Sequence, residues 1–173
     1  PGQLLFYRDG KTASVSVQQI DTQRAIATNG KTDAGITMQG APGTDEGTML
    51  LLGALPLAMH DKPEEIGVIG FGSGMTTHTL LGDARVKRVD TIEIEPVMVE
   101  AAKLFGKFVA RAYDDPRSHI IIDDASHIVS HQLLALFTLF DALPSGGVYI
   151  LEDLETSLNP EQFEAEYRDC PLD

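Results

Sequence analysis

Apolar and polar positions alternate with two different periods along this chain, and the change falls near residue 65. Leu4 to Tyr7, Ala13 to Gln18 and Arg24 to Thr28 are short alternating runs rich in Val, Ile, Thr and aromatic residues, separated by Asp9-Gly10 and closed by Asn29-Gly30. Such runs with turn dipeptides between them predict hairpins. Residues 1 to about 40 therefore read as a small antiparallel sheet, which must pack on a neighbouring domain or another subunit to be stable. Gly40-Ala41-Pro42-Gly43 reads as a linker, and Thr44 as the cap of a helix from Asp45 to about His60 with acids in its first turn. The Met and Leu stripe of that helix is read as core packing.

From Glu65 onward strands and helices alternate: strand 66–70, helix 75–82, strand 88–93, helix 96–110, strand 118–123, helix 127–142 and strand 147–152. This order predicts an α/β domain with a parallel sheet wound by helices on both faces. Strand 66–70 is apolar enough to be read as buried, Pro96 suits a first helical turn, and Pro144-Ser145-Gly146-Gly147 ends the last helix. The expected organisation is a β-hairpin subdomain and linker over 1–43, a Rossmann-like domain over 44–158 and an irregular tail over 159–173.

The chemistry concentrates at Ile69-Gly70-Phe71-Gly72-Ser73-Gly74 and at Glu93, which ends the following strand. Glycines after a strand let the backbone turn tightly and come close to a ligand, and the helix that follows presents free amide groups. An acid at the end of the second strand is placed to accept hydrogen bonds from both hydroxyls of a ribose. Because Met75 stands where a dinucleotide fingerprint wants glycine or alanine, the loop reads as a site for one nucleoside, such as S-adenosylmethionine, rather than NAD.

Composition narrows the partners. The chain has 173 residues, 43% hydrophobic and 23% charged, and its longest apolar stretch, Met49 to Met59, is too short to span a bilayer. Thirteen basic against 26 acidic residues give a net charge of -13, which disfavours nucleic acid, reads first as a solvated surface and second as a field attracting a cationic substrate; the expected partner is a small-molecule acceptor with a hydroxyl or an amine. With one cysteine, Cys170, and no visible signal peptide, a cytoplasmic protein is expected.

Two resemblances extend this reading. Leu5-Phe6-Tyr7-Arg8-Asp9-Gly10, Asp45-Glu46, Leu55-Pro56-Leu57 with His60, the glycine loop, Val89-Asp90-Thr91-Ile92-Glu93-Ile94-Glu95-Pro96 and Asp115-Pro116-Arg117 running into Ile120-Ile121-Ile122-Asp123-Asp124 carry the first. Over residues 4–124 the chain resembles the spermidine synthase superfamily of polyamine aminopropyltransferases. The resemblance implies that Gly70, Gly72, Gly74 and Glu93 hold the adenosyl group, that Asp124 contacts adenine, and that the protein is a homodimer or homotetramer. Where the family carries Asp-Gly-x-x-Gln this chain has Asn29-Gly30-Lys31-Thr32-Asp33, and no Asp-x-x-Asp-Pro follows a later strand.

The second is carried by Asp123-Asp124-Ala125-Ser126-His127-Ile128, His131, Leu139 to Asp153 and Thr156-Ser157, which resemble the metal-dependent sugar O-methyltransferases of macrolide pathways. It implies Asp124, Glu152 and Asp153 as Mg²⁺ ligands and His127 as general base on a hydroxyl, a coherent set because Mg²⁺ takes hard carboxylate oxygens and can acidify a bound hydroxyl. The leading expectation is an S-adenosylmethionine-dependent O-methyltransferase assisted by Mg²⁺, with an aminopropyltransferase using decarboxylated S-adenosylmethionine as the alternative. A non-catalytic nucleoside-binding module is the third. Strand 118–123 decides between two roles for Asp124: beside the Glu93 strand it faces adenine, and beside the Ile66 strand it faces metal and acceptor.

Overall fold

A computed structural model describes residues 2–122. They fall within one compact unit, Pro1–Ala125, and the remainder, Ser126–Asp173, lies outside the described residues. So do the helix and strand expected at 127–142 and 147–152.

The amino-terminal sheet is a meander of four antiparallel strands in the order β1 (Gln3–Asp9), β2 (Ser14–Ile20), β3 (Gln23–Thr28) and β4 (Lys31–Thr37). Asn29 and Gly30, both with positive φ (50° and 82°), make the two-residue turn between β3 and β4 whose twist matches that of the flanking strands. Alternation puts Val15, Val17, Ile26, Ala34 and Ile36 on one face, all buried. That face packs against Met98, Ala101, Ala102 and Phe105 in one continuous core. Each fully buried Val or Ile there contributes about 1.5–3 kcal/mol, so the small sheet gains its stability from the neighbouring layer, as its size requires.

Helix α1 (Thr44–Met59) follows. Two expectations for it are corrected. Gly43 occupies the N-cap position without a side-chain cap bond, and Thr44 is already helical. The apolar stripe is also only partly core: Glu46 and Gly53 are buried, Met49 and Leu57 pack on core clusters, and Leu51 and Met59 are 57% and 66% exposed. Close packing against the next helix, α2 (Met75–Leu80), is the reason, since a Cβ on Gly53 would stand only 2.8 Å from the Cβ and Cγ2 of Thr79. The small residue lies on the helix's inward face, while Leu50, Leu51 and Leu55 are exposed.

The second sheet is parallel, in the order β5 (Glu65–Ile69), β6 (Arg88–Glu93) and β7 (Ser118–Ile122). Helix α2 (Met75–Leu80) joins β5 to β6. Helix α3 (Pro96–Ala102), a 3-10 segment (Lys103–Phe108) and helix α4 (Arg111–Asp114) join β6 to β7. Only Ile66 and Val68 of β5 turn inward, onto Leu80, Leu81, Val86 and Val89, while Gly67 and Ile69 are exposed. The strand expected to be buried is thus covered on one face among the described residues. The single helix expected over 96–110 is interrupted because Gly106 takes φ 57° and ψ -130°, a conformation open essentially to glycine alone. Phe105 is fully buried, and Phe108 and Tyr113 pack on the same core. No helix among the described residues is long and apolar enough to cross a membrane.

Candidate functional site

The carboxyl ends of β5 and β6 meet where the glycine loop leaves the sheet, the usual place for a ligand in an open α/β fold. Gly70, Gly72 and Gly74 have φ of 85°, 50° and 83°, so each glycine of the loop sits in the left-handed region. A side chain there costs about 1–2 kcal/mol. Open space surrounds the first two, with nothing within 4 Å of a Cβ built on Gly70 or Gly72. A Cβ on Gly74 would come within 3.1 Å of both Ala112 and the Phe71 ring, so the third glycine serves packing at the start of α2. Between the open glycines Phe71 drops its ring into the core and leaves bare backbone facing outward.

Glu93 lies at the centre of this arrangement and is 5% exposed. Its Oε2 accepts the Phe71 amide at 2.7 Å, and its Oε1 accepts the Glu95 amide at 2.8 Å. One backbone bond, Gly70 N–H to Ile92 O at 2.8 Å, holds the loop to the same strand end. Glu93 therefore shapes the loop before any ligand arrives, a role its position in the sequence does not announce. Each carboxylate oxygen keeps a further lone pair for a ligand hydroxyl. Behind the loop, the hydroxyls of Thr77 and Thr91 meet at 2.9 Å, both fully buried, and fasten α2 to β6.

Glu95, 2% exposed, is a second acid that sequence reading passed over. Its Oε1 accepts the Val97 amide at 3.0 Å and caps α3. Its Oε2 accepts from the Thr12 amide at 2.8 Å, the Thr12 hydroxyl at 2.9 Å and the Ala13 amide at 3.3 Å. Burial pushes the Glu95 carboxyl up, but these donors outweigh it and hold the group below its ordinary value. The signal available in the sequence was the acid directly before Pro96, an N-cap pattern.

Arg117 is another unforeseen tie. It forks onto Asp115, with Nη2–Oδ2 at 2.7 Å, and donates to the carbonyls of Leu81, Val86 and Asp83, which seats β7 on the connection between α2 and β6. His78 of α2 pairs with Arg111: its Nδ1 accepts the Arg111 amide at 3.1 Å and its Nε2 lies 3.0 Å from the Arg111 guanidinium. Burial first, and the Arg111 charge second, lower the His78 pKa.

Gly70, Gly72, Gly74 and Glu93 are thus brought together at the carboxyl end of the sheet. Asp124, His127, Glu152 and Asp153 lie outside the described residues. Among the described residues no group of three or more His, Cys, Asp or Glu could hold a metal ion.

The spermine/spermidine synthase domain matches residues 48–143, more than half of the chain, and spans both the glycine loop and Glu93. The chain belongs to the spermine/spermidine synthase family. A polyamine aminopropyltransferase of Caldicellulosiruptor saccharolyticus is 34% identical over 80 residues, covering 46% of this chain and 29% of that protein. Putrescine N-methyltransferase 2 of Nicotiana tabacum is 29% identical over 75 residues, covering 43% of this chain and 21% of that protein. The matched stretch thus spans less than a third of these curated relatives. The crystal structure of spermidine synthase from Thermotoga maritima shares the fold, with TM-score 0.61 at 21% identity over 70% of this chain and 41% of that one. The family match runs through Asp124 and His127, so residues 120–143 of the stretch 120–158 expected to be like the macrolide O-methyltransferases fall inside the spermine/spermidine synthase domain. This corrects the ranking of the two resemblances: the methyltransferase one gains no support, and the aminopropyltransferase one does.

Proposed function

We propose that this chain holds the nucleoside of an S-adenosyl donor in a polyamine-type transferase, and that the group transferred is the aminopropyl group of decarboxylated S-adenosylmethionine. The observation that carries this reading is the place of β7. It pairs in parallel with β6, Glu93 opposite Ile122, and not with β5. Asp124 therefore follows the strand next to that of Glu93, which favours the adenine contact implied by the spermidine synthase resemblance over a metal ligand.

The cradle fits such a donor. Open space over Gly70 and Gly72 admits a sugar close to the backbone, and each Glu93 oxygen, which takes one backbone amide, has a second lone pair with which to accept a hydroxyl. The sulfonium of the donor supplies an electrophilic carbon, and what these residues contribute is binding and orientation. The net charge of -13 attracts a cationic amine acceptor. Methyl transfer to a diamine is a second reading, favoured by one observation: the Nicotiana putrescine N-methyltransferase is similar over a stretch of about the same length as the aminopropyltransferases. Transfer to a hydroxyl with Mg²⁺ on Asp124, Glu152 and Asp153 and His127 as base has no such support.

Incubating the full chain with putrescine and decarboxylated S-adenosylmethionine, and separately with putrescine and S-adenosylmethionine, separates the readings. The expected product is methylthioadenosine in the first incubation. S-adenosylhomocysteine in the second alone would replace the leading reading with methyl transfer. Failure of both thionucleosides to bind saturably in a calorimetric titration would overturn both readings.

A further inference from the structure

We infer that Glu95 is a positioning residue through which the hairpin turn between β1 and β2 sets the shape of the nucleoside cradle. The inference deepens the proposed function and rests on it for the ligand. A continuous run of short bonds supports it. The Thr12 amide and hydroxyl and the Ala13 amide donate to Glu95 Oε2, the Glu95 amide donates to Glu93 Oε1, and Glu93 Oε2 takes the amide of Phe71 between the two open glycines. Both acids are buried, so these bonds are little weakened by water.

The turn itself is built around that carboxylate. Gly10 donates its amide to Ala13 O at 2.8 Å, closing the turn, and a Cβ built on Gly10 would overlap the Glu95 carboxyl group. Gly10 is not in the left-handed region, so its small size here serves the close approach of the acid and not the backbone. An ordinary side-chain end could step aside from such an overlap. Glu95 cannot do so without losing its donors from Thr12 and Ala13 or its cap on Val97.

Neither Gly10 nor Thr12 borders the glycine loop in sequence, and Thr12 lies 83 residues from Glu95. Among the hydrogen bonds of the described residues, those from Thr12 and Ala13 to Glu95 are the ones that lead from the turn on to the glycine loop. The chemistry also separates the two duties of the carboxylate. Glu95→Asp, one methylene shorter, retains a cap for Val97 and falls short of the turn. Glu95→Gln has one acceptor oxygen where two are in use, so its amide nitrogen must oppose either the Val97 donor or the Thr12 and Ala13 donors.

The test uses the full chain and 5′-methylthioadenosine, titrated by calorimetry well below each variant's melting midpoint. Gly10→Ala and Glu95→Asp are each expected to weaken binding by about fivefold or more, and the double variant is expected to be no worse than the weaker single one, as for two changes in one network. Arg8→Gln, which breaks the exposed Arg8–Glu100 pair between the same two layers, is expected to leave binding within twofold of wild type. Wild-type affinity in Gly10→Ala and Glu95→Asp, with only the melting midpoint lowered, would reduce Glu95 to a fastener and overturn the inference.

A second arm needs no ligand. Amide hydrogen exchange at Phe71 is expected to speed up about tenfold or more in Gly10→Ala while that of Val68, which bonds only within the sheet, stays at its wild-type rate. If the wild-type chain binds no thionucleoside, the proposed function fails and this arm still decides the relay. Unchanged Phe71 exchange overturns it.

Discussion

Replacing the buried pair Thr77 and Thr91 one at a time and then together tests how the glycine loop is seated. The two hydroxyls lie 2.9 Å apart and are 1% and 0% exposed, one on the helix that follows the loop and the other on the strand that ends in Glu93. Valine keeps the shape of threonine and removes the hydroxyl. A net hydrogen bond between neutral groups is worth about 1 kcal/mol, and a hydroxyl left buried without its partner costs about 1–3 kcal/mol. Thr77→Val or Thr91→Val alone should therefore cost about 1–3 kcal/mol. The double variant removes both hydroxyls and orphans neither, so it should return to within about 1 kcal/mol of wild type. With a urea dependence of about 2 kcal/mol per molar, each single variant should lower the unfolding midpoint by about 0.5–1.5 M and the double variant by less than either. Additive single costs, with the double variant the least stable of the three, would refute the reasoning and show that the hydroxyls find other partners.

Two further expectations concern the helices around the site. Because burial and Arg111 depress the pKa of His78, its stabilising effect is complete above the unfolded value of 6.5 and is lost as pH falls through the lower folded value. His78→Gln should flatten the decline in urea midpoint between pH 7.5 and 5, and an unchanged slope would remove the Arg111 contact from consideration. In α1, Gly53→Ala should destabilise by about 1 kcal/mol or more, since overlap with Thr79 outweighs the gain in helix propensity. Gly47→Ala in the same helix, where a Cβ meets nothing within 4 Å, should stabilise by about 0.5–1 kcal/mol, and thermal melts of the pair with the same sign would refute the packing argument.

Elements whose ends are set by local chemistry were legible in the sequence. Arg88–Glu93 forms the strand that its apolar pattern predicts, and Asn29-Gly30 makes the turn that its dipeptide predicts. The cluster of Gly70, Gly72, Gly74 and Glu93 was likewise visible, because glycine spacing and an acid at a strand end are local signals. Features set by contacts between distant residues were not. The break at Gly106 depends on a backbone conformation that a lone glycine within an apolar run does not announce, and the outward turn of Leu51 depends on how closely Gly53 meets Thr79. The bonds from Glu95 to Thr12 and from Arg117 to Leu81 join positions whose residue types, read singly, suggest only a helix cap and a surface charge. Competition between resemblances also hid the rank of the two functions, since in the sequence Asp124 fits both, and it is the family match over residues 48–143 that ranks them.

The latch between Thr12 and Glu95 has a consequence for the order in which the chain folds. Pairings in the amino-terminal meander join residues close in sequence, such as Ile20 with Gln23 and Thr28 with Lys31, whereas the parallel strands wait for whole helices to form between them. Contacts of long sequence separation pay the larger closure entropy and slow the search for the native state. With its partners 83 positions apart in the sequence, the latch closes only when both layers already exist. The turn between β1 and β2 is thus among the first parts of the chain to form, and its bond to Glu95 among the last, so docking of the two layers, rather than formation of either, is the event that completes the run of bonds from Thr12 through Glu95 and Glu93 to Phe71.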